Sequence, residues 1–167
     1  MEWLIDRRSS DADTHVRSAM DVTCTICSGQ WPHDDYRIAD CGTSVAYLFD
    51  DQFFPGWTVL VLKRHATEIF QLSADERSRL IDEVSAVAGA LMETFHPLKI
   101  NYELLGNQLP HIHWHVIPRL TNDPAPRDPV WTVGHKRQTL TPTDLAERVA
   151  LVQSRLCFKS QGHHRSE

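Results

Sequence analysis

Two hydrophobic periods alternate along the chain. Apolar residues fall at every position or every second one in Ser44 to Asp50, Trp57 to Lys63, Lys99 to Leu105 and His111 to Arg119. That is the pattern of strands covered on one or both faces. A shorter strand is expected around Tyr36 to Ile38. Leu80, Val84, Val87, Leu91 and Phe95 recur instead at three- and four-residue steps, with Ile81, Ala88 and Met92 widening the stripe. This is a helix with one face on the core. Ser73 and Glu76 form a capping box at its start, and Pro97 ends it. Pro142 after Thr141 opens a last helix whose apolar edge is Leu145, Val149, Val152 and Leu156. Residues 121–137 hold Pro124, Pro126, Pro129 and Gly134 without a period and read as loop. The order strand–strand–helix–strand–strand–helix predicts an α+β fold, an antiparallel sheet with helices on one face.

At 167 residues, 41% hydrophobic and 23% charged, the chain suits one domain with a full core. That domain is expected over 22–158. Residues 1–21, rich in charge and Ser, predict a flexible N-terminal arm, and 159–167 a disordered tail. The net charge of −5 argues against a general grip on nucleic acid. A small phosphate-bearing ligand remains compatible with it, because local donors decide binding in a pocket. No apolar run approaches the ~20 residues of a membrane span, and no signal-peptide core is visible. The expectation is a cytoplasmic protein with neither membrane nor nucleic-acid partners.

The last predicted strand carries the candidate chemistry. On an extended backbone His111, His113 and His115 fall on one side, while Ile112, Trp114 and Val116 face a core. Pro118, lacking an N–H, fits the strand's end. The alternative is a solvated polar face on an edge strand. Three imidazoles in a row can attack phosphorus with one ring and bind its oxygens with others. They can also ligate a metal that activates water. Cys24 and Cys27 have the C-x-x-C spacing of half a zinc site or of a redox pair, with free thiols as the alternative. His33 is near them in sequence. Cys41 and Cys157 carry no pattern, and His15, His96 and His135 read as surface residues without partners. Asp50 and Asp51 suit either a solvated turn or a ligand contact. Phe49, Phe53 and Phe54 are candidates for stacking on a planar ligand group.

The run His111-Ile-His113-Trp-His115-Val-Ile resembles the motif of the histidine triad (HIT) superfamily. Pro55 through Lys63-Arg64-His65 resembles the family's turn and strand that cross the active site, and Lys99 through Pro110 resembles the strand leading into the triad in a bacterial branch of hydrolase-like members. The likeness covers about residues 22–133. It implies a five-stranded antiparallel sheet, two helices and a homodimer. It implies a hydrolase or transferase acting on the α-phosphate of a dinucleoside polyphosphate or nucleoside phosphoramidate, with no organic cofactor. By this resemblance His113 is the nucleophile that forms a covalent nucleotidyl-histidine, and His115 binds the phosphate oxygens. Asn107 and Gln108 supply amide donors, Asn101 a further amide, and Asp50 takes the ribose hydroxyls. Cys24, Cys27, His65 and His111 correspond to the ligands of a structural zinc. A non-catalytic nucleotide binder ranks second, and a metal-dependent hydrolase using the triad as ligands third.

Overall fold

The computed structural model describes residues 24–156, so the expected arm (1–21), the tail (159–167) and Cys157 lie outside the described residues. Its strands are β1 (Arg37–Asp40), β2 (Ser44–Leu48), β3 (Thr58–Leu62), β4 (Lys99–Glu103) and β5 (His113–Arg119), with helices α1 (Ala74–Phe95) and α2 (Pro142–Gln153). The strands form one sheet in the order β1-β2-β3-β5-β4, with every neighbouring pair antiparallel. β5 therefore lies inside the sheet, which removes the edge-strand alternative for its histidines. Pro118 is the last residue but one of β5, opposite Ile100.

Strand register sorts the side chains. His115 pairs with Val59 and His113 with Val61, so both rings share a face, and Trp114 opposite Leu60 takes the other. On that other face Ala46, Leu48, Leu60, Ile100 and Val116 pack against Val84, Val87, Ala88 and Leu91 of α1 and Leu145 and Val152 of α2. Both helices thus cover one side, as the strand and helix order predicts. The histidine side is bordered by irregular chain.

The capping box of α1 is present: Ser73 Oγ accepts from the Glu76 N–H at 3.1 Å, and a Glu76 carboxylate oxygen accepts from the Ser73 N–H at 2.9 Å. Thr141 caps α2 in the same sense, with Pro142 in its first turn. The α1 stripe is rotated from the expected one. Ile81 and Met92 are exposed, whereas Glu83 and Ala90 are buried. At about 100° per residue Ile81 and Met92 lie together on one flank, and the covered arc extends to the other. The Glu83 carboxylate explains the bias: it accepts from the Thr43 and Ser44 N–H groups and the Ser44 hydroxyl at 2.6–2.8 Å. That bond set ties α1 to the β1–β2 turn.

The stretch expected as plain loop, 121–137, contains a 3-10 turn at Val130–Thr132. Buried Arg119 holds its start, donating to Asp123 (2.5 Å), to the Ala125 and Asp128 carbonyls, and to Asn101 Oδ1 (2.6 Å). Val130 then inserts among Phe54, Trp57 and Ile117.

Candidate active site

His113 and His115 are buried side by side, with ring centroids 5.1 Å apart. Their hydrogen bonds fix opposite tautomers. His113 Nδ1 lies 2.6 Å from the His111 carbonyl oxygen, which only accepts. Nδ1 therefore carries the proton, and Nε2 keeps a lone pair. The indole Nε1–H of Trp57, which only donates, meets His115 Nδ1 at 3.0 Å. The neutral His115 ring must then carry its proton on Nε2. One strand thus presents a nucleophilic nitrogen and, two residues on, a donor.

Burial keeps both rings neutral at physiological pH. It lowers the His113 pKa despite the opposing bond to the His111 carbonyl. Burial, and second to it the repulsion that a protonated His113 would exert, takes His115 down to about 3. Neutrality is what a nitrogen nucleophile requires, since a protonated imidazole has no free lone pair.

Both rings open into a cleft of about 540 Å³, a size that suits a nucleotide. Trp31, Phe49 and Trp131 wall it, and Asp50, Asn107, Gln108 and Arg137 lie on its lining. His113, His115, Asn107, Gln108 and Asp50 are thereby brought to one place. Asn101 is not: it sits opposite Ile117, farther along the strand, and its amide oxygen accepts from Arg119. Nor are two of the three phenylalanines. Phe54 is buried in the cluster under Val130, and Phe53 stacks on His135 at 4.3 Å. A second cleft of about 470 Å³ shares Trp31 and is lined by His33, Tyr47 and Lys63, without either strand histidine.

His135 has partners, contrary to the sequence expectation. Its Nε2 lies 2.8 Å from Asp51 Oδ2 and its Nδ1 2.9 Å from the Val133 carbonyl oxygen. Asp51 also accepts from the N–H groups of Phe53 and Gln138, so it is a bonded turn residue rather than a solvated one. Trp31, Trp131 and Arg137 also line the cleft, although no motif in the sequence marks them. Trp131 stands edge-on to His115 with centroids 5.1 Å apart, and its indole N–H bonds Glu103. Two tryptophans in polar, aperiodic stretches were the available signal.

His111 precedes β5 and its ring serves a different place. Nε2 meets the Leu62 carbonyl oxygen at 2.7 Å, so Nε2 carries the proton and the lone pair lies on Nδ1. That Nδ1 lies 3.6 Å from the Sγ atoms of both Cys24 and Cys27, and His65 Nδ1 lies 3.4 Å from Cys27 Sγ. The four ligand atoms of Cys24, Cys27, His65 and His111 all fall within 4.8 Å of one another. Two thiols and two imidazoles at such spacings fit a tetrahedral zinc ion. His33 is outside this group.

Comparison with known proteins matches the fold. A histidine triad protein from Bradyrhizobium japonicum superposes with a TM-score of 0.67 at 31% identity, covering 72% of this chain and 90% of its own. A zinc-bound histidine triad family protein from Mycobacterium smegmatis shares the fold, with a TM-score of 0.60 at 21% identity, covering 81% of this chain and 94% of its own. Adenosine 5'-monophosphoramidase hnt1 of Schizosaccharomyces pombe is 25% identical over 99 residues, 59% of this chain and 73% of that protein. Residues 33–122, more than half of the chain, match the model of the HIT domain. With the buried histidines of β5 at the floor of its cleft, the chain belongs to the HIT domain family.

Proposed function

We propose that this protein is a nucleotidyl hydrolase or transferase that attacks the α-phosphorus of a nucleoside phosphate derivative through His113. The observation that carries the proposal is the pair of opposed tautomers on β5. His113 Nε2 forms a bond to phosphorus as the bond to the leaving group breaks. His115 Nε2–H binds a phosphate oxygen as charge builds there, and Asn107 and Gln108 add neutral donors. Water then displaces the nucleotide from Nε2 and releases a nucleoside monophosphate; an acceptor other than water makes the same step a transfer. Asp50 takes the ribose hydroxyls. The named activity of the fission-yeast relative supports this substrate class.

Replacing His113 with Ala tests the proposal. Turnover of adenosine 5'-phosphoramidate and of dinucleoside polyphosphates falls at least about a thousandfold, as for loss of a covalent nucleophile. The unaltered enzyme traps a nucleotidyl adduct on His113, visible by mass. Full turnover by His113→Ala would remove this chemistry. AMP binding without turnover by the unaltered protein would favour the non-catalytic binder. The triad as metal ligands is disfavoured because His111 Nδ1 lies 3.6 Å from the Sγ atoms of Cys24 and Cys27, and His111 is not among the residues lining the cleft.

Zinc held by Cys24, Cys27, His65 and His111 is proposed as a structural ion. All four positions would be protein ligands, leaving none open for substrate. A homodimer is proposed through β4. That strand is a sheet edge whose outer backbone groups are unpaired within the sheet, with Leu98, Tyr102 and Leu105 exposed in and beside it.

A further inference from the structure

One charged side chain of the cleft has no part in the chemistry above. Arg137 lies beyond β5, outside the residues that match the HIT domain. Its backbone is pinned on both sides. Gln138 donates its N–H to Asp51 Oδ1 at 3.0 Å and accepts from the Gln52 N–H at 2.8 Å. Two residues earlier, His135 bonds Asp51 Oδ2 at 2.8 Å and stacks on Phe53. The segment 135–138 is thus strapped to the turn 50–53, which delivers the Arg137 side chain to the cleft rather than leaving it to wander.

At the rim the guanidinium pairs with the Asp50 carboxylate, and Nε points to the Asp50 carbonyl oxygen at 3.5 Å. The Arg137 side chain is 55% exposed, against 23% for Asp50. Nε and Nη2 of the five-donor fork engage Asp50, and the half-exposed side chain lines the cleft. Among the described residues that line the cleft, Arg137 is the only Lys or Arg and Asp50 the only carboxylate.

This charge arrangement has a consequence for substrate choice. One phosphate over His113 and His115 can be served by the His115 N–H and the Asn107 and Gln108 amides. A second phosphate brings more negative charge near Asp50, where an unpaired carboxylate would repel it. Arg137 cancels that carboxylate and offers a planar fork that matches phosphate oxygens. We propose that Arg137 binds a second phosphate of the substrate, beyond the one His113 attacks, so that the preferred substrates are nucleotides with two or more phosphates. This rests on the nucleotide-cleft proposal above and deepens it. The second phosphate can belong to the 5' chain or to the ribose, and the chemistry of recognition is shared.

Calorimetry tests this without relying on turnover. The intact protein and Arg137→Gln are titrated with AMP, ADP and adenosine 3',5'-bisphosphate. The intact protein binds ADP or the 3',5'-bisphosphate roughly tenfold or more tightly than AMP, the size expected of charge-assisted bonds. In Arg137→Gln that ratio falls to about threefold or less, and Arg137→Lys retains part of it. A gain with ADP alone assigns the 5' chain; a gain with the 3',5'-bisphosphate alone assigns the ribose. Equal affinity for all three in the intact protein, or a ratio that survives in Arg137→Gln, overturns the assignment while the nucleotide cleft stands. No binding of AMP by the intact protein removes both.

Discussion

At the scale of single residues, hydrogen-bond partners decide what each histidine does. His111, His113 and His115 are alike in sequence, yet a carbonyl, a second carbonyl and an indole N–H decide which ring nitrogen of each carries the proton. His135 shows the same principle in a pair with Asp51. Burial alone would lower the His135 pKa; the bonds to the Val133 carbonyl and to Asp51 outweigh it and raise the pKa above its ordinary 6.5. Burial would raise that of Asp51, but its N–H donors and His135 take it below 3.8. The His135 contribution to stability is therefore full below pH 6.5 and fades as pH rises through its raised value. The Asp51 contribution is full above pH 3.8 and fades as pH falls through its lowered value. Both act together between those limits. His135→Ala is expected to lower Tm more at about pH 5.5 than at about pH 9, by on the order of 1 kcal/mol or roughly 2–4 °C. Equal Tm losses at the two pH values would show that the pair adds nothing electrostatic.

At the scale of elements, the strand that carries the histidines also anchors the loop that follows it. Arg119, the last residue of β5, points to the same side as His113 and His115 and is 1% exposed. Its bonds to Asp123, Ala125 and Asp128 fold the chain back over that face, and Val130 locks it there beside Trp131. Arg119→Met would leave a buried Asp123 carboxylate without its cation. A loss of about 3–5 kcal/mol in urea unfolding is expected, because the uncompensated charge stays buried. A loss below about 1 kcal/mol would mean the loop is held by Val130 packing alone. The cap and period of α1 were legible in Ser73, Glu76 and the Leu80–Phe95 stripe. The rotation that exposes Ile81 was not, since it depends on where Glu83 finds its N–H donors.

At the scale of the molecule, helices on one face of the sheet leave the other to the cleft and to the Cys24–Cys27 turn. The proposed zinc would tie that turn to His65 after β3 and to His111 before β5. The proposed dimer would extend the sheet across β4. Native mass measurement checks both: two 19.1 kDa chains with two zinc ions are expected. Cys24→Ser with Cys27→Ser should lose the metal and lower Tm by roughly 10 °C, the scale of a tightly held ion. A metal-free dimer would sink the zinc assignment, and a zinc-bound monomer the dimer.

What the sequence alone determined follows from local periodicity and spacing. Alternation set the strands, a three-to-four step set α1, and the spacing of His113 and His115 put both rings on one face of β5. The resemblance named Cys24, Cys27, His65 and His111, residues whose ligand atoms the fold brings within 4.8 Å of one another. Tertiary structure decided what local pattern does not encode. Sheet order put β5 inside rather than at an edge, and Arg119 drew Asn101 away from the cleft. Trp57, 58 residues before His115, chose its tautomer. Arg137 and Trp131 reached the site only because the chain after β5 folds back, since contacts between distant segments depend on packing and not on neighbours in sequence.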